Sequence, residues 1–488
     1  MNARRNRSTL GMLLFGVAGA AVLTTAAVAG DNSVAIDALI SSYQKLGLFN
    51  GSVLVAERGK VILKKGYGLA NAEWGIPNTP DTVFRLASVS KQFTAMLVMQ
   101  LVEEGKLTLD SRLSEVLPYY RKDTGSRVTI HNLLNHTSGI PNFLARPGFV
   151  AENGRKRWPV EEFVTKFCSD DLQFEPGSKF TYSNSGYYIL GAVIEKLAGK
   201  PFEQVLAERI TGPLGMRSTG YEHSERVVPK RASGYERTPE GLRNAQFIEM
   251  SVAFAAGGLV STVEDLYLWD QALYTDKLLS PKLKQVMFTP GLENYAYGWG
   301  VRQAQVGPKK EDRTLQSHAG GIFGFATFIR RVVEDRHLVV LLNNTGETGL
   351  DAMTMGIIDI LYGRTPPPPK RPIGDTLAAT ITQKGVDAAV AQYRDLKHRE
   401  KDSYDFGEEE LNRLGYQLLG AAKTGEAIAI FKINVEAYPE SWNVYDSLAE
   451  GYANAGQKEL AIKNYARSLE LNPGNRNAVE QLAKLTKP

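Results

Sequence analysis

Four consecutive prolines at positions 366–369, followed by Lys370, Arg371 and Pro372, constrain this chain of 488 residues more than any other stretch. Proline fixes φ and lacks an amide hydrogen, so such a run continues neither a helix nor a central strand and acts as a semi-rigid spacer. Residues 365–372 therefore separate two segments that must each build a core. Before the spacer, glycine-rich loops alternate with strand-like and helical patterns; after it, helical periodicity runs on alone. Hydrophobic residues make up 43% and charged residues 23%, ordinary globular values, and the length is about three times that of a comfortable single core.

The segment after the spacer is repetitive. Leu414, Gly415, Leu418, Ala427, Phe431 and Pro439 recur 34 residues later as Leu448, Ala449, Tyr452, Ala461, Tyr465 and Pro473. Small residues where paired helices touch, an aromatic between hairpins and a terminating proline resemble a tetratricopeptide repeat. Residues 373–488 are thus expected to be an all-α domain, with repeats at about 408–441 and 442–475. Residues 373–400 would stack on one side and 476–488 would cap the other. The resemblance implies a concave surface that either binds a protein partner or packs on the first domain.

At the N-terminus, Arg4, Arg5 and Arg7 precede an apolar stretch from Leu10 to Leu23, and Ala27, Val28 and Ala29 follow. This is the layout of a secretory signal over residues 1–29. The uninterrupted apolar run is short for a bilayer span of about 20 residues, so no stable membrane span is expected after cleavage. Removing three arginines and no acids lowers the formal net charge from +4 to +1. A chain with so little charge, and no long basic block, lacks the footprint of a nucleic-acid binder. The single cysteine, Cys168, excludes an intramolecular disulfide and a cysteine-based zinc or iron–sulfur site. One cysteine in an exported chain fits a bacterial periplasm or exterior.

Residues 30–364 read as an α+β domain. Ile36, Leu39, Ile40 and Tyr43 mark one face of a helix from Ser33 to Leu46 that Gly47 ends. Ser52 to Ala56 and Val61 to Tyr67 read as a hairpin around a four-residue loop, Glu57 to Lys60. Strand patterns return only at Phe325 to Val333 and Leu338 to Leu342, before a helix from about Leu350 to Leu361. A helical region inserted between such strands implies a sheet assembled from both ends of the segment.

Three short elements carry chemistry. Ser88 and Lys91 form an S-x-x-K element at the head of an apolar helix, Phe93 to Val102, where the lysine reaches the hydroxyl. A neutral, buried lysine amine can accept the serine proton. Ser42 and Lys45 match the same spacing, but within an amphipathic helix surface. Tyr182 and Asn184 lie in a polar loop ahead of a helix from about Tyr187 to Leu197. Residues two apart in an extended loop face the same cleft. The phenol can relay a proton to a leaving group, and the amide can hold a substrate carbonyl or orient the lysine. Tyr452 and Asn454 repeat that pair inside the helical repeat, where it is structural. His318 to Gly321 precede the Phe325 strand, and Gly321 N–H can pair with Ser88 N–H as an oxyanion hole.

In order and spacing, Ser88–Lys91, Tyr182–Asn184 and His318–Gly320 resemble the serine beta-lactamase and penicillin-binding-protein superfamily. The likeness is strongest to its class C beta-lactamase, D-alanyl-D-alanine carboxypeptidase and esterase branch, over roughly residues 34–364. Gly66 to Asn71, Thr82 to Lys91, His136 to Pro141, Pro213 to Met216, Gly257 to Thr262 and Tyr297 to Val301 look like that branch too. The resemblance implies a beta-lactamase/transpeptidase-like fold and an acyl-enzyme on Ser88. Lys91 and Tyr182 would manage protons, Asn184, His318 and Gly320 would contact substrate, and the Ser88 and Gly321 amides would hold the oxyanion. Class C lactamases begin the third element with a lysine that binds a carboxylate; His318 in that place puts potent lactam hydrolysis in doubt. The expected substrate is a small ester or amide, a D-amino-acid peptide or a lactam. A second reading is a non-catalytic scaffold that binds cell-wall peptides while the repeats recruit a partner. No P-loop, H-E-x-x-H or complete dinucleotide fingerprint is present, and no cofactor or metal is expected.

Overall fold

The structure, a computed structural model, describes residues 32–238, 241–346 and 349–486. The expected signal at 1–29 lies outside the described residues. Helix α1 (Asn32–Lys45) buries Ile36, Leu39 and Ile40, the apolar face read from the sequence, and gives way to Gly47 at positive φ.

A six-stranded antiparallel sheet forms the centre of the larger body. Its strands are β1 (Gly51–Glu57), β2 (Lys60–Tyr67), β3 (Gly300–Val306), β4 (Glu311–Ile322), β5 (Phe325–Val332) and β6 (His337–Asn343), in the spatial order β3-β4-β5-β6-β1-β2. Val53 pairs with Leu341 and Val55 with Val339, so the first strand lies against the last, as the expectation of a sheet built from both ends requires. Alternation sends Val53, Val55, Phe328, Val339 and Leu341 to one face, against α1 and α5 (Asp351–Leu361). Leu54, Ile329, Leu338, Val340 and Leu342 go to the other face, against the helical insertion. Each such side chain contributes about 1.5–3 kcal/mol by leaving water.

Two readings need correction. The β1–β2 loop is a two-residue turn, because Glu57 and Lys60 already pair; Arg58 and Gly59, both at positive φ, form it. Strands β3 and β4 were not expected. Many of their positions are charged or polar because they lie at the margin of the sheet beside solvent, and His318 to Gly321, which precede the Phe325 strand as expected, themselves lie within β4.

The insertion supplies α2 (Lys91–Glu103), α3 (Asn184–Ala198) and α4 (Met250–Gly257), which pack on one another. Beyond the prolines, the described residues form an all-helical region with its own core, built from α6 (Ile373–Lys384), α7 (Val386–Arg399), α8 (Glu408–Gly420), α9 (Thr424–Ala437), α10 (Trp442–Asn454), α11 (Lys458–Leu471) and α12 (Arg476–Leu485). A Cβ on Gly415 would fall 2.2 Å from the Phe431 ring, which is why a small residue stands where α8 meets α9. The bodies touch through the hairpin Tyr235–Asn244. Arg237 pairs with Asp375, and its carbonyl accepts from Gln417 Nε2 at 3.2 Å. A groove of about 1480 Å³ runs between the bodies, lined by residues including Arg237, Pro367 and Arg413 and away from Ser88.

Candidate active site

Ser88 sits in a 3-10 turn, Ala87–Ser90, that runs directly into α2. Lys91 is therefore the first residue of the helix, which starts two residues earlier than its apolar run predicts. Ala87 holds φ +48, a strained conformation for a residue with a Cβ, immediately before the serine.

Lys91 is fully buried, and its Nζ lies 3.1 Å from Ser88 Oγ, 2.8 Å from Asn184 Oδ1 and 2.8 Å from Ala256 O. Burial drives its pKa well below the ordinary 10.5. A neutral amine has two hydrogens and one lone pair. Asn184 Oδ1 and Ala256 O only accept, so they take both hydrogens, and the lone pair faces the Ser88 hydroxyl. The Ala256 carbonyl is available to the lysine because it lies in the last turn of α4, where carbonyls have no partner within the helix; the same helix is kinked at Phe254, whose φ of +39 is not helical.

Tyr182 and Asn184 reach this point from the start of α3. Ser183 is extended, with φ −135, and Asn184 opens the helix, so the pair straddles a strand-to-helix transition instead of lying in one extended loop. Lys91 Nζ stands 4.8 Å from the centre of the Tyr182 ring. Burial pushes the Tyr182 phenol well above its ordinary value, opposed by the nearby Ser88 hydroxyl, so it remains protonated at neutral pH. Its hydroxyl is buried beside Ser88 without a well-formed hydrogen bond to the protein.

The third element is held against the first by a missing side chain. A Cβ on Gly320 would lie 2.3 Å from both Leu86 O and Thr327 Oγ1, which themselves hydrogen-bond at 2.8 Å. Strand β4 thus presses on the turn that carries Ser88. At Gly321 a Cβ would meet nothing within 4 Å, so this position borders open space. Strand β3 pairs with β4 only as far as Ser317, leaving His318 to Ile322 as an edge on that side.

His318 is buried, and both its nitrogens are engaged. Nδ1 lies 2.6 Å from Ala319 O, an acceptor, so Nδ1 carries the proton; Nε2 then accepts from Tyr295 Oη at 2.9 Å. Burial and, next, Lys91 push its pKa down to about 3. The residue is a neutral wall of the site at physiological pH.

Sequence reasoning gave no role to Asn142, Ala256, Tyr295 or the His136 side chain. His136 lay within a stretch read as family-like, but only folding places it beneath Tyr182. Ser42, from the second S-x-x-K match, donates to Leu39 O within α1, and Asn454 donates to Glu450 O within α10, so both duplicate motifs are parts of helices. Among the described residues no group of His, Cys, Asp and Glu is placed to hold a metal, and no helix is long and apolar enough to cross a membrane.

Comparison with known proteins gives a consistent picture. Residues 36–361 match the family described as Beta-lactamase. Penicillin-binding protein 4* of Bacillus subtilis (strain 168) is 29% identical over 365 residues, which are 70% of this chain and 77% of that protein. Esterase EstB of Burkholderia gladioli is 29% identical over 366 residues, 65% of this chain and 91% of the esterase. Among solved structures, the D-amino acid amidase from Ochrobactrum anthropi SV3 complexed with L-phenylalanine amide aligns with a TM-score of 0.59 at 26% identity. That alignment covers 68% of this chain and 97% of the amidase.

Proposed function

The chain belongs to the beta-lactamase family and is a serine hydrolase of that type, and from this premise we propose that it hydrolyses esters or amides through an acyl-enzyme on Ser88. The observation that carries the proposal is the arrangement of Lys91 Nζ, saturated by two acceptors and left with a lone pair toward Ser88 Oγ at 3.1 Å. Ser88 Oγ attacks the carbonyl carbon as its proton passes to Lys91. The Ser88 and Gly321 amides receive the oxyanion. As the tetrahedral species collapses, Tyr182 gives its proton to the departing oxygen or nitrogen and recovers one from Lys91. Water then attacks the acyl carbon, loses a proton to the same pair and releases the acid and Ser88.

Because His318 is neutral, the site offers no fixed cation at the third element, which favours substrates without a carboxylate beside the scissile bond. Relatives named as an esterase and a D-amino acid amidase support an ester or amide substrate. We further propose that residues 1–29 direct export, and that the repeated helices of residues 408–475 are tetratricopeptide repeats that bind a protein partner.

The test is intact mass after incubation of the wild type and Ser88→Ala with a fluorophosphonate and, in parallel, a fluorescent penicillin. Adduct formation on the wild type alone is expected, faster with the neutral phosphonate. Absence of any Ser88-dependent adduct or turnover, across esters and D-peptides, overturns the reading.

A further inference from the structure

The segment bearing Tyr182 and Asn184 is laced to a single loop, residues 136–143. Thr181 donates its amide to His136 O at 2.9 Å, and Ser183 donates its amide to His136 Nδ1 at 3.2 Å. Asn184 donates both its amide and its Nδ2 to Asn142 Oδ1, each at 3.3 Å. Ser185 Oγ donates to Pro141 O at 2.6 Å. The amides on both sides of Tyr182 therefore end on one residue, His136. Its ring also lies 4.3 Å from the Tyr182 ring, centre to centre, tilted by 40°.

His136 is an unfavourable choice for mere packing. It is 1% exposed and holds φ +60, a left-handed conformation uncommon for residues with a Cβ, although histidine and asparagine adopt it more readily than most. Burial, followed by Lys91 and His318, drives its pKa well below 6.5, so the ring is neutral. Since Nδ1 accepts from Ser183, the ring proton sits on Nε2, which is buried without a hydrogen-bond partner among Tyr182, Tyr187, Tyr295 and Phe180. An apolar side chain would fill this volume without burying an unmade hydrogen bond, but it would supply no acceptor for Ser183. What the imidazole provides and an apolar side chain does not is an acceptor for Ser183, beside the backbone carbonyl that holds Thr181.

We infer that His136 is the positioning residue for Tyr182. It fixes the backbone before and after the phenol and supports its ring, so that the hydroxyl stands beside Ser88 where the leaving atom departs. This inference rests on the proposed role of Tyr182, and its test separates the two. A proton on the leaving group matters for an alkyl ester and little for a nitrophenyl ester, whose phenolate departs unaided. The parameter kcat/KM reports acylation alone. The full chain is assayed on ethyl butyrate and p-nitrophenyl butyrate as wild type, Ser88→Ala, Tyr182→Phe, His136→Leu, His136→Asn and the His136→Leu/Tyr182→Phe double variant.

His136→Leu is expected to lower kcat/KM on the ethyl ester about 10- to 100-fold and on the nitrophenyl ester no more than about threefold, and to add little to Tyr182→Phe. His136→Asn, whose amide oxygen stands in for Nδ1 and which tolerates positive φ, should recover most of the loss. Equal losses on both esters, additivity with Tyr182→Phe, or no recovery with Asn each overturn the inference. His136→Ala, lacking the same acceptor, carries the test if the Leu variant does not fold. If the wild type shows no Ser88-dependent turnover of either ester, the functional reading falls first, and the inference with it.

Discussion

Substituting Gly320 by alanine tests whether the backbone of β4 is part of the machinery. The added Cβ would stand 2.3 Å from Leu86 O and 2.3 Å from Thr327 Oγ1, and real Cβ contacts essentially never fall below 3.0 Å. Neither obstacle yields easily: one is backbone, the other a hydroxyl already bonded to that carbonyl at 2.8 Å. Strand β4 must therefore retreat from the Ser88 turn by at least about 0.7 Å, the shortfall between those distances. Overpacking of this kind costs about 1–3 kcal/mol of stability. A displacement near 1 Å at a reacting centre lowers the rate by about 100-fold. Gly321→Ala is the control, because its Cβ meets nothing within 4 Å and only the substrate's own space shrinks. Fluorophosphonate labelling kinetics, read beside urea unfolding midpoints, should show Gly320→Ala folded but about 100-fold slower and Gly321→Ala within a few fold of wild type on a small probe. A folded Gly320→Ala labelling at the wild-type rate, or equal damage from both variants, would refute the claim that this contact sets the site.

Two further predictions concern charge. Lys91 serves as base only when neutral, so kcat/KM should rise with pH through its lowered pKa and then level, and Lys91→Arg, which stays charged, should label at no measurable rate. The linkage has a definite sign. A buried cation whose folded pKa is depressed weakens the fold below that pKa, and stability climbs with pH from there to about 10.5, a slope that Lys91→Met should remove from unfolding midpoints. Glu222 is fully buried, with Oε2 2.7 Å from Arg85 Nε and Oε1 2.9 Å from Nη2, while Arg231 pairs with it as well. Glu222→Gln leaves Arg85 without its counter-charge three residues ahead of Ser88 and should destabilise by about 3 kcal/mol or more; an unchanged denaturation midpoint would exclude this role.

Sequence pattern made the ends of the larger body legible. Val53 to Ala56 and Leu338 to Leu342 are continuous apolar runs because both faces of those central strands are buried, one under α1 and α5 and the other under the insertion. Strands β3 and β4 were illegible for the converse reason: Arg302, Gln303, Glu311 and Asp312 face solvent at the sheet margin and dilute the alternation. The side chains that meet at Lys91 were readable as motifs because local spacing brings them to element starts. The supporting set was not, since Ala256 contributes only a carbonyl, and Tyr295 and His136 reach the site through distant folding. Nor does spacing reveal that His318 is neutral, which follows from its burial and from Lys91 nearby.

The pairing of β1 with β6 has a consequence for how the protein comes to exist. Asn50 donates its amide to Asn343 Oδ1, a partner 293 residues away. Synthesis from the N-terminus at about 5–20 residues per second leaves the first hairpin waiting roughly 15–60 s for that partner. Until then β1 presents an unpaired, apolar edge, the kind of surface that templates aggregation. The turn before Ser88 must likewise wait for Gly320. A nascent or truncated chain ending before β6 therefore carries the nucleophile without its enzyme. The helical tail, whose helices contact chiefly their neighbours in sequence, needs no such wait.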